Sequence, residues 1–159
     1  MKDHLLTIRL ATPADAKELA DLHNDIIREE YDEVYSPEAL AAWANNDEEK
    51  WKAVIQTTTS HFVLGLIDNR IVAAAGLNGA EHRLGVYVLP AWHEQGIGRK
   101  MIEKAIEIAR TMDIRKLNLS APAAAVPFYL RLGYTVIAET QHVFENGATM
   151  PVFNMELIL

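Results

Sequence analysis

Cysteine is absent from this 159-residue chain. Its absence excludes disulfides, thiolate nucleophiles and zinc–cysteine sites, and fits a reducing compartment. Long apolar runs are also lacking. No segment approaches the roughly 18 apolar residues that a membrane span needs, and the opening MKDHLLTIRLATPAD places charges where a secretory signal carries an apolar stretch. A cytoplasmic location is the expectation. Bases are in short supply, 15 against 22 acids, for a formal net charge of −7. That balance argues against binding a nucleic-acid backbone, and any anion must be held by a local device. Repeats, low-complexity tracts and Gly/Ser linkers are missing. Residues 1–159 therefore read as a single domain, long enough to bury a core.

What is present alternates between short strands and amphipathic helices. TIRLA reads as a strand, and TPAD as a helix start, with Thr12 as cap, Pro13 in the first turn and Asp15 near the positive helix end. Ala16, Leu19, Ala20, His23, Ile26 and Ile27 then fall on one helical face. SPEA starts a second helix carrying Leu40, Trp43 and Ala44, and NND ends it and can cap a third with Trp51, Val54 and Ile55. HFVLGLI and IVAAAGL are strands joined by Asp68–Asn69–Arg70, and HRLGVYVL is a third. A helix with Ile97, Met101, Ile102, Ala105, Ile108, Ala109 and Met112 on one face follows, then the strand RKLNLS and a short helix ending at Gly133. Two last strands flank Asn146–Gly147, a strong hairpin signal. The expected fold is α/β (α+β): a mixed, mostly antiparallel, seven-stranded sheet flanked by helices.

The stretch HEQGIGRK, His93 to Lys100, opens a helix with two poor helix formers. A helix N-terminus offers unpaired N–H groups and about half a positive charge. Glycine lets that backbone approach a phosphate closely. Arg99 and Lys100 oppose the helix dipole unless an anion lies nearby. A tight strand-to-helix turn without a ligand accounts for the same glycines. Walker and dinucleotide loops do not fit, since Arg99 follows Gly98 and Met101 stands where a third glycine would.

VYVLPAWHEQGIGRKMIEKAIEIA resembles the acetyl-CoA-binding motif of the GCN5-related N-acetyltransferase family: a strand ending in Val-x-Pro, then Arg/Gln-x-x-Gly-x-Gly/Ala, then a helix. APAAAVPFYLRLGY, with Tyr129 before Leu132–Gly133–Tyr134, resembles the second motif of that family. Pro122 stands where many members have an asparagine, and His93 where they have Arg or Gln. The resemblance covers nearly the whole chain and implies acetyl-CoA as co-substrate. It implies that Val86, Tyr87 and Val88 flank the pantetheine arm, and that His93, Glu94, Gln95, Gly96, Ile97, Gly98 and Arg99 wrap the pyrophosphate.

The implied reaction is acetyl transfer to an amine of a small molecule or peptide by direct attack. The Val88 N–H would polarise the carbonyl, and Tyr129 would serve as general acid. A tyrosine at about 10 against a thiol at about 8.5 makes full proton transfer uphill. The position where many members carry a general base falls on His82, with Glu81 beside it; only one of two adjacent strand residues can face the substrate. An exposed strand edge explains both residues equally well. The acidic REEYDEVY segment, Arg28 to Tyr35, lies where the family often builds its acceptor site. Glu139 and His142 on the penultimate strand are further options. A non-catalytic acyl-CoA-binding sensor is the alternative reading, and a homodimer stays open because many members dimerise.

Overall fold

Arg9 and Asp15 join the first strand to the first helix. The computed structural model describes residues 5–57 and 60–159, so the first four residues of the N-terminal reading lie outside it. Strand β1, Thr7–Leu10, leads through one 3-10 turn at Pro13–Asp15 into helix α1, Ala16–Tyr31. The Arg9 guanidinium donates to both Asp15 oxygens, at 2.8 and 2.9 Å. The Thr12 N–H and hydroxyl donate to the same carboxylate. Arg9 first, and Thr12 after it, hold the Asp15 carboxyl down at about 2. Because this folded-state value lies below the unfolded one, the pair stabilises above about pH 4 and fades as pH falls through about 2. Arg9 is half-exposed, so the contribution is about 1–2 kcal/mol. Denaturant unfolding should show wild type more stable than Asp15→Asn by that amount at pH 6, with the gap closing at pH 2.

The caps divide the next helical stretch. Ser36 Oγ accepts from Ala39 N at the start of α2, Pro37–Trp43, and Asp47 accepts from Lys50 N at the start of α3, Glu48–Gln56. Strands β2, His61–Ile67, and β3, Arg70–Asn78, follow, joined through Asp68 and Asn69, both at positive φ as a primed two-residue turn requires. Then come β4, Arg83–Val88; α4, Ile97–Thr111; β5, Lys116–Ala121; α5, Val126–Arg131; β6, Thr135–Val143; and β7, Thr149–Ile158. At the last hairpin only Gly147 is left-handed, and its N–H donates to the Phe144 carbonyl at 2.9 Å. The Asn–Gly pair therefore closes a one-residue-longer turn with a glycine bulge, not a two-residue turn.

The seven strands lie in the order β1-β2-β3-β4-β5-β7-β6, antiparallel except for β4 beside β5. This is the expected mixed sheet. Helices α1 and α3 cover one face, where Leu19, Ile26 and Trp51 pack on Phe62, Leu64 and Ala74. Helix α4 covers the other, with Ile97 and Met101 on Val63, Ala73 and Ala75. Helix α5 packs Tyr129 with Tyr134 and Met155 over the β5–β7 end.

Candidate active site

The sheet opens at its middle. Strands β4 and β5 pair only at Arg83↔Asn118 and then diverge. Along β4 the Leu89 N–H donates to the Val72 carbonyl at 3.0 Å. Alternation in an antiparallel ladder then commits the backbone groups of Tyr87 and Gly85 to β3 and turns those of Val86 and Val88 toward the gap. A polar backbone edge is thus left facing a cavity of about 780 Å³ between β4, α1, α4 and α5.

Helix α4 points its N-terminus into that cavity. Gly96 caps it at φ 76°, and no side chain bonds the first-turn N–H groups. Ile97, Gly98 and Arg99 therefore present donors where an anion would lie. The two glycines act differently. A Cβ on Gly96 would meet nothing within 4 Å, so its requirement is the left-handed backbone. A Cβ on Gly98 would stand 3.2 Å from the Phe128 ring and 3.6 Å from Val88 Cγ2, so its requirement is space.

A half-buried acid faces this edge from α1. His93 Nε2 lies 2.9 Å from the Val88 carbonyl and 2.9 Å from Glu30 Oε1. Both partners only accept, so Nε2 carries the proton. Burial pushes the Glu30 carboxyl above its ordinary value, against a smaller opposing effect of His93. Tyr31 and Trp43 stack beside it, with ring centroids 4.9 Å apart. Tyr129 lines the opposite wall, and burial raises its phenol well above the usual range. An acid kept partly basic, a neutral phenol, unpaired strand groups and a helix N-terminus converge on one space. That set suits acyl transfer from a phosphate-bearing donor.

The family model for the acetyltransferase (GNAT) domain matches residues 31–159. The chain belongs to the GNAT family. It is thus an N-acetyltransferase that uses acetyl-CoA as co-substrate. Among similar proteins, the uncharacterised N-acetyltransferase YafP of Escherichia coli is 24% identical over 94% of this chain and 94% of its own. A GCN5-related N-acetyltransferase structure from Rhodopseudomonas palustris superposes with a TM-score of 0.87 at 23% identity, covering 100% of this chain and 99% of that one. PaiA N-acetyltransferase from Thermoplasma acidophilum, solved with coenzyme A, gives 0.79 at 18% identity over 98% and 99%.

Within this GNAT domain, Val86, Tyr87, Val88, His93, Glu94, Gly96, Ile97, Gly98, Arg99 and Tyr129 all line the cavity. Gln95 is exposed on the turn outside that lining. Glu81 and His82 do not reach it. The strand phase assumed for them fails because β4 begins at Arg83; both occupy the 79–82 turn, with His82 at φ 51°. Glu139 and His142 are exposed on edge strand β6. His93, expected on the pyrophosphate, meets Glu30 and the Val88 carbonyl through Nε2. From the acidic segment the cavity selects Glu30 and Tyr31, while Glu29, Asp32 and Glu33 are exposed. Arg131 and Ser120 also line it and carry no motif that marks them in the sequence.

Proposed function

We propose that this GNAT domain acetylates a primary amine by direct attack on the thioester, with Glu30 as the base. The Glu30–His93–Val88 contact carries this reading, because it sets a carboxylate beside the strand end that would hold the carbonyl. The acceptor ammonium gives a proton to Glu30, whose raised affinity for protons suits the task. The neutral amine adds to the carbonyl, and the Val88 N–H stabilises the oxyanion. The C–S bond then breaks, the added nitrogen gives up its second proton to become the amide nitrogen, and that proton goes to the leaving sulfur, so the free thiol departs. The Val86–Val88 edge holds the pantetheine arm, and the first turn of α4 with Arg99 holds the pyrophosphate.

Tyr129 serves the leaving sulfur mainly as a hydrogen-bond donor. Its burial makes complete proton transfer to a thiolate harder than for a free phenol. Tyr129→Phe is expected to lower kcat roughly tenfold, the worth of one hydrogen bond to a charged group. Acetyl-CoA affinity should stay within twofold by calorimetry. Unchanged kcat would remove Tyr129 from the chemistry.

Thermal melting with and without acetyl-CoA, followed by thiol-release assays on amino acids, polyamines, aminoglycosides and peptides, tests the whole reading. A raised Tm with turnover supports it. A raised Tm with no turnover on any amine favours a sensor, and an unchanged Tm removes both.

A further inference from the structure

Strand β6 ends the sheet, and among the described residues no strand lies on its outer side. It runs nine residues, Thr135–Val143, and every one but Ala138 is exposed. Val136, Ile137 and Val143 are large apolar side chains among them. Proteins usually blunt such an edge with lysine, proline or brevity. The opposite edge, β1, has four residues and carries Arg9. β6 has no lysine, arginine or proline, and Glu139 is its one carboxylate. Its bulge lies between Val136 and Ala138 and leaves the run from Ala138 to Val143 regular. Glu139 and His142, which line no part of the active-site cavity, both belong to that run.

The ladder to β7 fixes which backbone groups point outward. The Phe144 N–H donates to the Ala148 carbonyl at 2.8 Å, and the register continues as Val143↔Thr149, His142↔Met150 and Gln141↔Pro151. Bonded and non-bonded pairs alternate in an antiparallel ladder. His142, Thr140 and Ala138 therefore bond β7, while Glu139, Gln141 and Val143 turn their N–H and C=O groups outward. Pro151 agrees with this phase: it has no N–H to give, and it stands opposite Gln141 in a non-bonded pair. Three outward residues in succession form a template for one more strand.

We propose that a second copy of this chain pairs there, β6 against β6, antiparallel about a twofold axis at Thr140. The strand's own sequence selects this partner and this register. Outward groups must meet outward groups, and twofold symmetry then sets one residue opposite itself. An axis at Glu139 would oppose two carboxylates, which is unfavourable. An axis at Gln141 would set Glu139 against Val143. Axes nearer either end run into the bulge or the hairpin turn. At Thr140, Glu139 meets Gln141 of the second copy, Ala138 meets His142, and the two Thr140 hydroxyls meet each other. Val143 comes to Ile137, so exposed apolar groups are paired as well. No β6 residue lines the 780 Å³ cavity, so both cavities stay accessible in the dimer.

The absence of cysteine makes a clean test possible. Thr140→Cys would place two sulfurs across the axis in a non-bonded pair, with Cα atoms about 4.5 Å apart and within disulfide reach. His142→Cys is exposed on the same face, but its twin would lie about 13 Å further along the strand. Under mild oxidation the first should link into dimers at least tenfold faster than the second. Sedimentation of the unmodified full chain should show a dimer. Gln141→Pro removes an outward N–H without removing a bond to β7. It should weaken the dimer about tenfold or more, the loss of one backbone hydrogen bond in each copy. Acetyl-CoA affinity should stay within twofold and melting should stay cooperative. If Gln141→Pro does not fold, the cysteine pair and the sedimentation still decide. A monomer at every concentration, equal linking rates for the two cysteine variants, or a folded Gln141→Pro chain that dimerises as tightly as wild type overturns the proposal.

Discussion

Glu30→Gln is expected to lower kcat for amine acetylation by about 100-fold or more, the ordinary contribution of a positioned general base. The substitution is nearly isosteric. The amide oxygen can still accept from His93 Nε2, so the contact that orders the wall can persist while the proton-accepting group is gone. Tm and acetyl-CoA affinity should hardly move. The pH profile gives an independent sign. Glu30 works deprotonated, and burial raises its pKa, so kcat/KM in wild type should fall toward acid with a limb above the ordinary carboxylate value of about 4.3. Glu30→Asp should retain that limb, and Glu30→Gln should lose it. A raised KM with unchanged kcat would reduce Glu30 to an attractor of the ammonium.

The proposed base is hard to find in the sequence because its placement depends on contacts far apart in it. Glu30 sits among three other acids of the same stretch, and nothing local separates it from Glu29 beside it. Only the packing of α1 against the turn after β4 brings it to His93. The reading of His82 failed for a different reason. It extended strand alternation from Arg83 onto His82, whose left-handed backbone sequence periodicity does not reveal. Features fixed by short-range rules were legible: the Ser36 cap, the Asp68–Asn69 turn, the apolar face of α1 and the Gly133 stop at φ 98°. The glycine turn that opens α4 was legible too, yet the separate requirements of its two glycines were not, because Phe128 arrives there from α5.

An acidic chain can still hold an anionic co-substrate because the positive potential is local. Long-range attraction is weak at a net charge of −7, and opposing charges at a distance are screened within about 8 Å at physiological salt. In the proposed site what remains is the first turn of α4, its free N–H groups and Arg99, with Arg131 on the same cavity. Binding by such a site should depend more on backbone geometry than on net charge.

Gly98→Val gives that dependence its sharpest expression: acetyl-CoA affinity is expected to fall by about 100-fold or more. Loss of one or two charge-assisted hydrogen bonds, each worth about 1.5–3 kcal/mol, suffices for this. The first Cβ atom already meets the edge of Phe128 at 3.2 Å and Val88 Cγ2 at 3.6 Å, and the two methyls of valine add bulk at the same mouth. Either the ring is displaced or the helix N-terminus withdraws, and both spoil the place where phosphate would meet the Ile97, Gly98 and Arg99 N–H groups. Gly98→Ala needs only a shift of a few tenths of an ångström by the ring and should lose less. Gly96→Asn separates space from conformation. Asparagine tolerates the left-handed backbone, and the surroundings of Gly96 are open, so affinity there should remain within a few-fold. Calorimetry on the three variants, with melting of the unliganded proteins to confirm folding, provides the ranking. If Gly98→Val binds as tightly as Gly96→Asn, the α4 N-terminus does not hold the pyrophosphate.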